Sequence, residues 1–288
     1  MVKIGIIGGT GCGGFSLENV QSLQGRETVK AKTIWGDPSD NVTTGTLNGV
    51  PVVLLGRHGP GHKYNPTNVP YKANIQALKD QGCTHVIATS ACGSLREEMA
   101  PGDIVILDQF IDWTTKRSNT FFDASFPPLN ASEEDLKFFS RVTHVPMADP
   151  ICERTRRILI DSCRELKVIT KHHETGTMVT IEGPRFSTRA ESKMFRSLGA
   201  DLINMTTSPE APLAKEAALP YAVIASVTDY DSWRVEEDDV TVKAVMEIMK
   251  ENQGKVFQLI CKAVKKIAEE DWSSTIKQLQ EEVAASQM

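Results

Sequence analysis

The chain has 288 residues, 40% hydrophobic and 24% charged, with a net charge of -5, the balance of a soluble globular protein able to bury a core unaided. No run approaches the roughly 18 apolar residues of a membrane span, and no basic block could neutralise a nucleic-acid backbone; membrane and nucleic-acid partners are excluded, and small molecules are expected instead. Six scattered cysteines without a Cys-x-x-Cys pair point to reduced thiols in a cytoplasmic protein rather than to a disulfide scaffold.

Residues 2–7 form an apolar run that leads straight into glycines, and they read as a first strand rather than a leader peptide. Further β-branched runs occur at 50–55, 85–89, 104–107, 178–181, 200–205 and 221–227. Helical patterns lie between and after them, at 71–81, 149–166, 187–198, 209–218, 240–267 and 272–285, the last an amphipathic packing helix. Strands alternating with helices predict an α/β fold in one domain spanning 1–288: a mixed, largely parallel central sheet flanked by helices on both faces. Residues 119–145, with Pro127-Pro128 and Glu133-Glu134-Asp135, read as a long irregular loop. It serves as a lid, an oligomer contact or a surface excursion.

Ligands in such folds sit at strand carboxyl ends, and the distinctive residues fall there. Gly8-Gly9-Thr10-Gly11 follows the first strand. Gly9, Gly11 and Gly14 satisfy the dinucleotide spacing Gly-x-Gly-x-x-Gly, but residues 15–26 are polar and broken by Gly25, where a nicotinamide site needs an apolar-faced helix. The same glycine N–H groups suit a smaller anion, with the Thr10 hydroxyl as a further donor. A plain tight turn is the remaining reading.

Arg57-His58 ends a second strand. The guanidinium offers a planar fork to two phosphate oxygens and the imidazole another donor; an Arg paired with a structural carboxylate is the alternative. His58 and His62 are separated by glycine and proline, which forbid the helix a zinc site would need, and no metal is expected. Ser90-Ala91-Cys92-Gly93 lets backbone approach a ligand closely, and Cys92 reads as a buried inert thiol. Glu182-Gly183-Pro184-Arg185-Phe186 places a carboxylate, a turn and an aromatic able to stack on a base at one strand end. In Thr228-Asp229-Tyr230-Asp231, two carboxylates at i and i+2 of an extended segment point one way, and their mutual repulsion raises a pKa. A helix-capping turn is the alternative there.

Taken in order, Gly8-Gly9-Thr10-Gly11, Arg57-His58-Gly59, Ala91-Cys92-Gly93-Ser94-Leu95-Arg96, Pro101-Gly102-Asp103, Thr180 to Phe186, Asn204-Met205-Thr206 and Thr228 to Asp231 resemble the 5'-methylthioadenosine phosphorylases, the adenosine-type branch of the trimeric purine nucleoside phosphorylase family, over nearly the whole chain. The resemblance implies phosphorolysis of methylthioadenosine, with inorganic phosphate as co-substrate and no other cofactor. It implies phosphate among Thr10, Arg57, His58, Ser90 and Thr206, ribose on Met205, and the base near Ala91, Phe186 and Ser187 with Asp229 and Asp231 at its N7 and 6-amino edge. Asp229, Asp231 and His58 are the implied catalytic set, Asp229 as general acid. Val242, Val245 and Met246 are the implied 5'-methylthio pocket, completed by His144 from a neighbouring subunit of a homotrimer. A 6-oxopurine phosphorylase and a nucleotide-binding module without catalysis are the competing readings. A carboxylate would repel the 6-oxo acceptor. Ser90 stands where the branch has threonine, and Ser232 and residues 65–70 also depart from its pattern.

Overall fold

A computed structural model describes residues 1–9, 22–123, 128, 131–234 and 241–288. Eleven strands join in one sheet: β1 (Ile4–Gly8), β2 (Gln24–Val29), β3 (Val42–Leu47), β4 (Val50–Gly56), β5 (His85–Ser94), β6 (Ile104–Ile106), β7 (Gln109–Trp113), β8 (His172–His173), β9 (Thr177–Ile181), β10 (Leu202–Asn204) and β11 (Tyr221–Asp229). β5 is the branch point. It pairs in parallel with β1 along its first half and with β11 along most of its length, and antiparallel with β10 at its far end. Pairing is otherwise parallel for β1–β4, β6–β8, β7–β9 and β9–β10, and antiparallel for β2–β3, β3–β4 and β6–β11. The sheet is therefore mixed and largely parallel, as the alternation predicts.

Every residue of β11 from Tyr221 to Thr228 is buried. Successive side chains point to opposite faces, so both faces of the sheet are covered there. The helices among the described residues are α1 (Tyr71–Asp80), α2 (Glu133–Phe139), α3 (Glu153–Glu165), α4 (Arg189–Ser197), α5 (Thr207–Glu216), α6 (Val242–Ala268) and α7 (Ser273–Ala285). α3 packs on α6 and both meet β11; α1 packs on α5, which meets β7, β9 and β11.

Three differences from the sequence reading have physical causes. β2 is exposed almost throughout and β7 only half-buried, so neither carries an apolar alternation, and two-residue β8 is too short for any pattern. The segment 119–145 is not wholly irregular: α2 starts at a capping box in which Ser132 and Asp135 bond each other's backbone, two donors satisfied reciprocally. Finally, β5 runs on through Ser94 and β11 through Asp229, which carries the small residues and the acid into the sheet rather than beyond it.

This last point positions the site. Ala225 faces Ser90, Ser226 faces Ala91 and Val227 faces Cys92; the register then shifts so that Asp229 faces Gly93. A bulge re-aims the residue that follows it, and here Asp229 is brought against β5.

Candidate active site

A cavity of about 1350 Å3 opens at these strand ends. Arg57, His58, Ser90, Ala91, Phe186, Ser187, Met205, Thr206, Asp229, Asp231, Val242, Val245 and Met246 all line it. Thr10 lies outside the described residues. His144 is exposed and does not line this cavity; its N–H donates to the Ser286 carbonyl at 3.0 Å, tying its segment to the C-terminal tail.

Arg57 is 2% exposed, and its fork is already engaged: Nε and one Nη each donate to Glu210 at 2.8 Å, while the other Nη donates to the Thr89 carbonyl at 2.9 Å. Burial opposes its charge, but Glu210 outweighs burial and holds the guanidinium firmly protonated. This revises the expected two-pronged grip on phosphate. Two Nη hydrogens stay uncommitted among the described residues, so Arg57 has donors to offer but not its fork. Gly9 is what admits it, since a Cβ there would stand 2.7 Å from Nη1.

His58 also differs from expectation. Its Nδ1 lies 2.9 Å from the Tyr64 carbonyl, which only accepts, so Nδ1 carries the proton. Burial, followed by the neighbouring Arg57 charge, lowers its pKa to about 4. The ring is therefore neutral, and Nε2 presents a lone pair: an acceptor where a donor was expected. It stacks on His62 with centroids 4.1 Å apart. Beside it, Asn204 organises the hydroxyls, its amide donating to Ser90 at 2.9 Å and Thr207 at 2.8 Å while its oxygen accepts from Thr180 at 3.1 Å. Thr206 immediately precedes α5, whose first turn is interrupted by the extended backbone of Ser208.

Asp229 and Asp231 converge by a different route from the extended spacing expected. The strand ends at Asp229, and Asp231 is left-handed with φ 48°. The Asp231 N–H donates to one Asp229 oxygen at 2.8 Å and the Thr228 hydroxyl to the other at 2.7 Å. Burial raises the Asp229 pKa against these two bonds. Burial also raises Asp231, to about 6, with Asp229 repulsion a lesser contribution. Desolvation rather than like charge is thus the main cause. Hydrogen bonds from the Ser192 and Ser187 hydroxyls and the Ser232 N–H oppose the rise at Asp231.

Ser232, a departure from the family pattern, donates to the Ser187 carbonyl at 2.8 Å and so braces the cavity wall there. Cys92 is buried, as its surroundings predict, and burial, then Asp229, raises its thiol well above the ordinary range. Gly93 leaves room for the acid, because a Cβ would sit 2.8 Å from Asp229 Oδ1 and 3.1 Å from the Asp231 Cβ. Gly93→Ala is expected to displace the Asp229 carboxylate and lower turnover about 100-fold, with roughly 1–3 kcal/mol of overpacking strain. Steady-state kinetics beside urea unfolding would check both figures.

The sequence pattern that defines the phosphorylase superfamily matches residues 3–265. An S-methyl-5'-thioadenosine phosphorylase from Danio rerio is 52% identical over 277 residues, 96% of this chain and 92% of the relative. Another from Xenopus tropicalis is 49% identical over 288 residues, covering 100% and 96%. The chain belongs to the phosphorylase superfamily, among the S-methyl-5'-thioadenosine phosphorylases. Among solved structures, the methylthioadenosine phosphorylase from Schistosoma mansoni in complex with adenine superposes with a TM-score of 0.89 at 42% identity, covering 100% of this chain and 99% of that one. A mutant of the adenosine/methylthioadenosine phosphorylase from the same organism, in complex with methylthioadenosine, gives 0.87 at 42% identity over the same shares.

In this member of the family, several supporting residues escape the sequence reading. Glu210 and Asn204 act through partners 153 and 114 residues away, a separation no local pattern reveals. Glu182, seen only as a carboxylate at a strand end, accepts from Thr67 at 2.7 Å, the Thr115 N–H at 2.8 Å and Arg117 at 3.0 Å. Despite its desolvation, these donors hold its pKa down at about 2. Exposed Arg185 pairs with half-buried Glu191 instead. No group of three or more His, Cys, Asp or Glu among the described residues is disposed to hold a metal ion.

Proposed function

We propose that this protein catalyses the phosphate-dependent cleavage of methylthioadenosine to adenine and 5-methylthioribose 1-phosphate. The observation that carries the reading is the pair of buried carboxylates, Asp229 and Asp231, in the same cavity as Ser90, His58 and Thr206. Burial favours the protonated form of Asp229, and a protonated carboxyl can donate to N7 of a leaving purine, so that adenine departs neutral. Asp231, which lines the same cavity, accepts from the 6-amino group; a 6-oxo purine offers an acceptor there and is disfavoured.

Phosphate attacks C1' from the face opposite the base while the C1'–N9 bond breaks through an oxocarbenium-like state, and the anomeric centre inverts. The nucleophile is held by the hydroxyls of Ser90 and Thr206, by Thr10 and the glycine N–H groups, and by the uncommitted Arg57 hydrogens. The neutral His58 accepts a hydrogen bond at Nε2 from a phosphate hydroxyl, which leaves the other oxygens for donors. Held under the developing positive charge, the phosphate is counter-ion as well as nucleophile. Met205 and Phe186 screen the ribose and base from water. The reaction requires no metal and no organic cofactor.

Val242, Val245 and Met246 receive the 5'-methylthio group. Apolar walls discriminate only modestly against a hydroxyl, so adenosine is a slower substrate. The site is completed in a homotrimer by His144 of a neighbouring copy, a reading supported by exposed Leu136, Phe138 and Val142 around that histidine. No described helix is long and apolar enough to cross a membrane, and the five described cysteines are unpaired, in keeping with a cytoplasmic role in purine and methionine salvage.

The test is base release from methylthioadenosine, adenosine and inosine, each with and without phosphate. Adenine release that needs phosphate and is fastest from methylthioadenosine is expected. Faster inosine cleavage would overturn the role given to the carboxylates, and no release would return the chain to the binding-module reading. The pH profile adds a check. Asp231 takes up a proton below about pH 6 and then no longer accepts from the 6-amino group with full strength, so kcat/KM falls on that acidic side. Asp231→Asn should start lower and lose that part of the acidic limb at saturating phosphate. An unchanged limb in the variant would assign it elsewhere.

A further inference from the structure

Beyond the cavity wall, Arg117 ties together three segments that frame the site. Its side chain is 1% exposed, and it follows β7, whose Trp113 pairs with Ile181 at the end of β9. That pairing delivers the guanidinium to the back of the cavity. Nη1 donates to the carbonyls of Met205 at 2.6 Å and Ser208 at 3.0 Å, and to the Tyr71 hydroxyl at 3.2 Å. Nη2 donates to the carbonyls of Glu182 at 2.7 Å and Ile181 at 3.3 Å, while Nε binds the Glu182 carboxylate at 3.0 Å.

The placement of these carbonyls matters more than their number. Met205 and Ser208 bracket Thr206, and Ile181 and Glu182 lead directly into Gly183. Gly183 is left-handed, with φ +66°, and the Met205 sulfur lies 2.5 Å from where a Cβ would stand. The thioether is therefore seated on Gly183, and one guanidinium fixes the backbone on both sides of that contact. Arg117 does not line the cavity, so it does not touch a ligand there. It acts through geometry.

We infer that Arg117 is a positioning residue for phosphorolysis: by pinning Met205–Ser208 to the end of β9 it sets the ribose platform and the Thr206 donors in mutual register. This inference rests on the phosphorolysis reading above. Misplacing reacting groups by about 1 Å can cost on the order of 100-fold in rate, and a lysine at this position keeps the charge but cannot span three segments with a single nitrogen.

The experiment compares wild type, Arg117→Lys, Arg117→Ala and Glu182→Gln in turnover of methylthioadenosine, in equilibrium binding of adenine, and in thermal melting. Arg117→Lys is expected to melt cooperatively and to bind adenine within about threefold of wild type, because the base alone needs neither the platform nor phosphate, while kcat drops on the order of 100-fold. Added guanidinium ion is expected to restore part of the kcat of Arg117→Ala. Glu182→Gln, which keeps the Arg117 carbonyl bonds, should lose less than Arg117→Lys. The inference is overturned if folded Arg117→Lys turns over like wild type, or if its adenine affinity falls as far as its kcat, the mark of general loosening. Should Arg117→Ala not fold, the lysine and glutamine variants carry the test. Absence of turnover in the wild type would instead sink the phosphorolysis reading itself.

Discussion

Asp229→Asn is expected to lower kcat on methylthioadenosine by about 10²–10⁴-fold, the range for loss of a positioned general acid. The substitution is nearly isosteric, and the amide oxygen can still accept from the Thr228 hydroxyl or the Asp231 N–H that now hold the carboxylate. What it removes is the transferable proton. An amide N–H can bond to N7 but cannot leave with the base, so the effect should appear in kcat far more than in KM. The change also places a donor at the purine edge, where a 6-oxo group presents an acceptor, and the ratio of inosine to methylthioadenosine cleavage should rise. Steady-state kinetics on both nucleosides would test this, and wild-type-like turnover of methylthioadenosine by the variant would sink the general-acid role.

Glu210→Ala should be the most destabilising single change near the site. The Arg57–Glu210 pair is 2% and 1% exposed, and removing one partner of such a pair leaves a buried charge uncompensated, at a cost of about 3–5 kcal/mol. The Tyr221 hydroxyl, which donates to Glu210 at 2.8 Å, is orphaned at the same time. A urea midpoint lowered by about 1 M or more is expected. The double variant Arg57→Met with Glu210→Ala should recover part of that loss while remaining poor at phosphate binding, because the uncommitted Nη hydrogens are gone. A single variant within about 1 kcal/mol of wild type would mean that water reaches the pair and that its burial overstates the coupling.

The parts of the fold legible in the sequence are those where burial on both faces forces a continuous apolar run, as in β1, β5 and β11. Edge strands such as β2 and β8 carry no such signature. At the site, residue types at strand ends were readable because chemistry constrains them locally; Arg57, Met205 and Asp229 all line the cavity. Their states were not readable. The Arg57 fork faces Glu210, far away in sequence, and His58 becomes an acceptor only because the chain turns back to set the Tyr64 carbonyl against Nδ1. Asp229 and Asp231 meet through a bulge and a left-handed residue rather than through strand periodicity, and burial rather than mutual repulsion perturbs them. Each of these facts depends on what the tertiary fold brings to the residue. Spacing along the chain does not contain it.

The shared strand β5 has a consequence for how this protein fails on heating. Ser90 to Gly93 lie on the strand that β11 pairs along most of its length, with β1 on His85 to Ala88 and β10 on Gly93 and Ser94, and amides in such a strand exchange with solvent only through openings that approach global unfolding. The floor of the cavity, paired along β11, is therefore among the last regions to open. Hydrogen exchange should show the amides of β5 and β11 among the slowest in the molecule, and thermal inactivation should follow cooperative melting, with no earlier temperature window in which the fold survives but the floor has loosened.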